Sequence, residues 1–232
     1  MSETRIMPKP HRYAVCASEE MPIKEFYKGV FEEVFIFYHP FIKTTPHCYE
    51  TWKSGTYLGK NNILEHCEPI YWAEFLKLAA IENVKKLDIG LRTYIGGLNE
   101  KFEDKATAKT IQDVCEKNKM IVPSEGFFSE FLINKILYAI KKEGNEWIWC
   151  GDEFGSERKL QFIDDLIHDD QSGNQRINLF THDHEILLTT HWDSHFSLLC
   201  SDKETVKKIV NACNLEGFYC TDRTKIYWSI FD

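Results

Sequence analysis

The stretch Thr181 to Cys200, THDHEILLTTHWDSHFSLLC, carries His182, His184, His191 and His195 beside Asp183 and Asp193, and two breaks in its apolar pattern restrict how it folds. Asp183-His184 and Asp193-Ser194 are turn signals. The stretch therefore reads as a three-strand meander, Arg176 to His182, Glu185 to Trp192 and His195 to Cys200. A two-residue turn at Asp193-Ser194 sets Trp192 against His195 and His191 against Phe196. Because side chains alternate between faces, His191 and His195 then point to opposite sides of the sheet and cannot share one ion. The first turn pairs His182 with Glu185, which puts His182 on the His191 face but about six residues along the strand, roughly 20 Å away. Metal to nitrogen bonds are about 2 Å. The competing reading is one uninterrupted strand through His182-Asp183-His184, in which both imidazoles share a face and could hold zinc or a similar ion, with Asp193 as a distant third ligand. A metallo-β-lactamase-like HxHxDH pattern is not met, since Ile186 and Leu187 stand where Asp and His are required. Polar caps at strand ends are the simpler role for these histidines.

Of 232 residues, 43% are hydrophobic and 14% aromatic, enough to fill a sizeable core. The net charge of -8 argues against nonspecific binding to nucleic acid or an anionic membrane, and a basic partner is easier to accommodate. No apolar run is long enough for a membrane span, and MSETRIMPKPHRY lacks the apolar centre of a signal peptide, so a cytoplasmic location is expected. The eight cysteines are scattered without a CxxC pair and read as reduced, mostly core thiols.

Character changes near residue 145. The first part, about 1–145, reads as a helical layer. Ile23, Phe26, Tyr27, Val30, Val34 and Phe37 recur at helical spacing up to His39-Pro40. Residues 62–87 carry a second helical pattern, with an alternative start after Pro69, and a third spans about Lys105 to Asn118. A fourth starts from Ser124 as N-cap and stops at Gly144. From about 146 to 232 strands dominate: Trp147 to Cys150, the meander, Gly217 to Thr221 and Lys225 to Phe231. Helices are expected from Ser156 to about Ile167 and over Lys203 to Asn214, the latter with Ser201 and Glu204 as a capping box. The expected architecture is α+β, a mainly antiparallel sheet of five to six strands in one domain over 1–232. Ile186 and Leu188 on one face, with Leu187 on the other, imply cover on both sides. His168 to Arg176 reads as an exposed loop.

Several constellations could carry chemistry. Gly151 to Ser156 occupies a phosphate-loop position but lacks the GxxxxGK[ST] spacing and contains two carboxylates, so a strand-to-helix turn is the better account. Asp152, Glu153, Asp164, Asp165, Asp169 and Asp170 form an acidic band, either a solvated face or a docking surface for a basic protein. A Cys-His pair from Cys150 or Cys200 with His191 or His195 has no supporting local signature.

The stretch TTHWDSHFSLLCSDKETVKKIV, followed by EGFYCTDRTKIYW, resembles the C-terminal half of an uncharacterised family of cytosolic proteins from Bacillus-type bacteria, known only as a domain of unknown function. The resemblance implies a bacterial cytosolic origin and brings no activity, cofactor or catalytic residue with it.

Three functional expectations follow. The first is a non-enzymatic, immunity-like protein that binds or neutralises a basic partner through the acidic band, with no cofactor. The second is a divalent-metal hydrolase built on His182, His184 and Asp193. The third is a small-molecule binding protein with a pocket between the N-terminal helices and the sheet, lined by Trp147, Trp149, Trp192 and Trp228.

Overall fold

The computed structural model describes residues 8–170 and 177–231. Residues 1–7, part of the stretch MSETRIMPKPHRY read above for a signal peptide, and 171–176, part of the expected exposed loop, lie outside them. The strands are β1 (Glu33–Tyr38), β2 (Phe41–Lys43), β3 (Glu68–Ile70), β4 (Met120–Ile121), β5 (Trp147–Asp152), β6 (Arg158–Phe162), β7 (Ile177–Thr181), β8 (Leu187–Thr190), β9 (Phe196–Ser201) and β10 (Gly217–Tyr219). Helices are α1 (Ile23–Phe26), α2 (Pro46–Lys53), α3 (Lys60–His66), α4 (Trp72–Ala79), α5 (Val84–Tyr94), α6 (Lys105–Asn118), α7 (Glu130–Lys142), α8 (Ile163–His168), α9 (Lys203–Cys213) and α10 (Trp228–Phe231).

The fold is α+β. Seven strands form an antiparallel sheet in the order β10-β1-β9-β8-β7-β5-β6, and β3-β2-β4 make a small second sheet. The meander stands as read. Leu187 pairs with Phe180 and with Cys200, the register that turns centred on Asp183-His184 and Asp193-Ser194 demand. The strand ends at Thr181, so the uninterrupted strand through His184 does not form. His184 sits instead at φ 64°, in the left-handed region, where a turn is being closed.

Each face of the large sheet is covered. Val34, Ile36, Leu187 and Leu198 pack with Trp72, Phe75, Leu87, Leu91 and Ile111 from α4, α5 and α6. Phe35, Phe37, Leu188 and Leu199 pack on the other side with Leu132, Ile136, Ile163, Val206 and Ile209 from α7, α8 and α9.

The largest departure from expectation is at residues 23–38. A single turn, α1, ends near Gly29 at φ 76°, and Glu33–Tyr38 is a central strand lodged between β9 and β10. Val34, Phe35, Ile36, Phe37 and Tyr38 are all buried, with alternate residues in the two cores, so the strand shows a continuous apolar run rather than alternation. The long helix expected over 62–87 is interrupted by β3 at Pro69 and by Ala80 in the left-handed conformation. Of the helix expected from Ser156 to about Ile167, only the end is helical, as α8 from Ile163, and it does not start at Ser156. Asp152 closes a hairpin turn there by accepting hydrogen bonds from the Ser156 and Glu157 amides at 2.7 and 3.1 Å, and β6 follows. The helix assigned to Ser124 begins at Glu130, with Ser129 as N-cap, because Gly126 at φ 69° holds the preceding residues in a loop. For α9 the cap is Asp202, which accepts from the Glu204 and Thr205 amides; the Ser201 hydroxyl donates instead to the Glu185 carbonyl. The final strand expected over 225–231 is a helical turn, α10.

Candidate ligand-binding cleft

The segment between β4 and α7 is a loop because Pro123 interrupts pairing and Gly126 supplies a positive φ. It is fastened to the sheet at three points. The Gly126 amide donates to the Ser194 carbonyl at 3.1 Å, His39 Nδ1 to the Ser124 carbonyl at 3.1 Å, and His195 Nδ1 to the Pro123 carbonyl at 2.9 Å. The β8–β9 turn on which this loop rests is itself held by Arg92 of α5. That buried guanidinium donates to Asp88 Oδ2 (2.9 Å), Asp193 Oδ1 (3.1 Å), Ser194 Oγ (3.0 Å) and the Ile226 carbonyl (3.0 Å).

Between this loop, α2 and the end of α5 lies a cleft of about 370 Å3. Trp52, Tyr57, Tyr94 and Phe127 give it aromatic walls, and Glu125, Glu130 and His195 add two carboxyls and an imidazole. Two of these are buried. Glu130, 4% exposed, begins α7 and accepts from the Tyr57 hydroxyl at 3.3 Å, and burial raises its pKa above the ordinary value. His195 is 1% exposed, and burial lowers its pKa more than the Pro123 carbonyl raises it, so the ring is neutral. A carbonyl can only accept, which assigns the proton to Nδ1. Nε2 is left as a bare lone pair with no hydrogen-bond partner.

His39 differs. Its Nε2 accepts from the Ser197 hydroxyl at 2.7 Å, and burial depresses its pKa to about 3. Ser197 and His39 are both wholly buried, so this serine and imidazole act as a structural link.

The sequence-assigned residues lie elsewhere. His182 and His184 occupy the β7–β8 turn, where His182 stacks near Trp149 and His184 on Tyr13 with ring centroids 3.9 Å apart. Asp193 is at the other end of β8, engaged by Arg92, by the Tyr227 hydroxyl at 2.6 Å and by His191 Nδ1 at 2.5 Å. Burial alone would raise its pKa; those three contacts reverse the shift and leave it low. The three proposed metal ligands are thus not gathered, and no cluster of three such side chains suited to a metal occurs among the described residues.

In the acidic band, Asp152 caps its own turn, Asp164 pairs with Lys141 at 2.6 Å and Asp170 accepts from the Asn61 amide at 2.7 Å. Glu153 is half-buried near Phe154, Trp192 and His191, while Asp165 and Asp169 are exposed. The four tryptophans of the expected pocket do not converge. Trp228 is in the core, Trp149 lies under Arg158, Trp147 packs on Phe162 and Trp192 is beside His191. Burial pushes the Cys150 thiol to about 12 and the Cys200 thiol well above its ordinary value, which removes the thiolate a Cys-His pair needs.

Residues 19–230 match the family model described as a protein of unknown function, DUF2711. The chain belongs to the DUF2711 family. The match spans every residue of the cleft, from Trp52 to His195, so the cleft lies wholly within the DUF2711 region. No curated protein and no solved structure matches the chain. Among the described residues, no helix is long and apolar enough to cross a membrane.

Sequence reasoning did not single out Trp52, Tyr57, Glu130 or the cleft role of His195. They come from four separate segments, and no spacing rule joins them. Glu130 offered one faint signal, a carboxylate immediately before the apolar run Phe131 to Ile133.

Proposed function

We propose that this DUF2711 protein binds a small organic molecule in the aromatic cleft. The observation that carries the reading is the gathering of Trp52, Tyr57, Tyr94 and Phe127 around one cleft with the buried carboxyl of Glu130 on its wall. The volume falls at the lower end of small-molecule sites, and aromatic walls with a few polar groups are their usual lining. Docking of a basic protein on the acidic band has less support, because Asp152, Asp164 and Asp170 already have internal partners.

A metabolite library screened by thermal shift and tryptophan fluorescence tests the reading. The expected outcome is at least one compound that raises Tm and alters Trp52 emission, with the effect lost in Tyr94→Ala and Phe127→Ala. Binders insensitive to both substitutions would place the ligand elsewhere and overturn it.

A further inference from the structure

Resting on that reading, we infer that the ligand of the cleft is an organic cation carrying at least one N–H, a protonated primary or secondary amine. The lining gives the chemical argument. Its acidic and imidazole groups are Glu125, Glu130 and His195, its other titratable groups are the phenols of Tyr57 and Tyr94, and no lysine or arginine is among its described lining residues. An anion entering there meets two carboxyl groups and no cationic donor. A cation meets those carboxyl groups together with Trp52, Tyr57, Tyr94 and Phe127, whose ring faces attract positive charge.

Glu130 narrows the class. Its carboxyl accepts from the Tyr57 hydroxyl at 3.3 Å, and the residue is 4% exposed on the cleft wall. A quaternary ammonium would suit the aromatic walls yet bring no proton to this carboxyl. An ammonium with N–H groups can donate to it. A neutral apolar ligand of equal shape would offer it neither charge nor donor.

The test is isothermal titration of the full chain with a matched set of probes: 2-phenylethylamine, its N,N,N-trimethyl derivative, 2-phenylethanol and 3-phenylpropionate. The amine should bind at least about tenfold more tightly than the alcohol, equivalent to about 1.4 kcal/mol, with the trimethyl derivative between them and the carboxylate weakest. Glu130→Gln should erase most of the amine's advantage over the alcohol. The same substitution should reduce the preference for the amine over the trimethyl derivative, and Tyr94→Ala should weaken both cations together. Thermal melts confirm that each variant is folded, and Tyr94→Ala carries the test should Glu130→Gln fail to fold. Equal or tighter binding of the carboxylate, or no binding of the amine up to roughly 10 mM, overturns the cation assignment. Library compounds that bind with sensitivity to Tyr94→Ala would in that case leave the cleft reading intact; binders indifferent to Tyr94→Ala and Phe127→Ala would remove both.

Discussion

Burial of ionisable groups sets the chemistry of individual residues here, and it gives stability a definite pH dependence. His39 is held neutral with a pKa of about 3, and His195 is lowered in the same direction, both chiefly by burial. In the unfolded chain an imidazole titrates near about 6.5, so below that pH the unfolded state binds more protons and stability falls as pH falls. Glu130 acts oppositely. Its raised carboxyl is protonated more readily in the folded protein, so its contribution is largest at low pH and declines as pH rises above the ordinary carboxyl range. Two imidazoles against one carboxyl predict a lower urea midpoint at about pH 5 than at about pH 7.5. His39→Gln should flatten that slope and Glu130→Gln should steepen it; equal midpoints at the two pH values would refute the assignment. The register of the β8–β9 turn that carries His191 and His195 was legible in the sequence, because a two-residue turn fixes parity. Their partners were not: Glu19, 2.7 Å from His191 Nε2, and Pro123, at His195 Nδ1, lie far away along the chain.

Elements were legible where one side of the chain faces water. In α6 and α9 the apolar stripes Ala108, Ile111, Cys115 and Val206, Ile209, Cys213 oppose polar faces, and both helices lie where their spacing predicts. β1 was misread because burial on both faces erases alternation, leaving apolar residues that also satisfy a helical period. Its partner β10 shows how tightly this edge of the sheet closes. A Cβ on Gly217 would lie 1.9 Å from the Ile36 carbonyl oxygen, a backbone atom that can shift only with the strand. Glycine is required at this position by proximity to a neighbouring chain segment, since its φ is not among the positive values. Gly217→Ala should therefore separate β10 from β1 and cost about 2–3 kcal/mol in urea unfolding, at the upper end of overpacking penalties. Hydrogen exchange should quicken at the Tyr38 and Cys220 amides, which donate to the Glu216 and Val34 carbonyls across the β1–β10 pair, while β7 and β8 remain protected; an unchanged midpoint would mean that the carbonyl moves aside without loss of pairing.

For the molecule as a whole, the two-sided cover was anticipated by three residues. Ile186 and Leu188 enter one core and Leu187 the other, and the helices complete a layer on each side. The cleft, by contrast, is a product of assembly. It forms where the β4–α7 loop is drawn onto the β8–β9 turn, whose position depends on Arg92 reaching from α5 to Asp193 and Ser194. Net charge then bears on the cleft from a distance. A chain of charge -8 attracts cations towards an entrance that already contains two carboxyl groups, and the range of that attraction depends on salt. The screening length contracts from about 30 Å at roughly 0.01 M to about 8 Å at roughly 0.15 M, which removes contributions from charges beyond the cleft while sparing those inside it. Affinity for 2-phenylethylamine should consequently weaken a few-fold over this interval and then level off, and the affinity for uncharged 2-phenylethanol should stay constant. Parallel salt dependence for the two probes would trace the effect to the protein's conformation, and a steady amine affinity would show that only Glu125 and Glu130, within the cleft, supply the attraction.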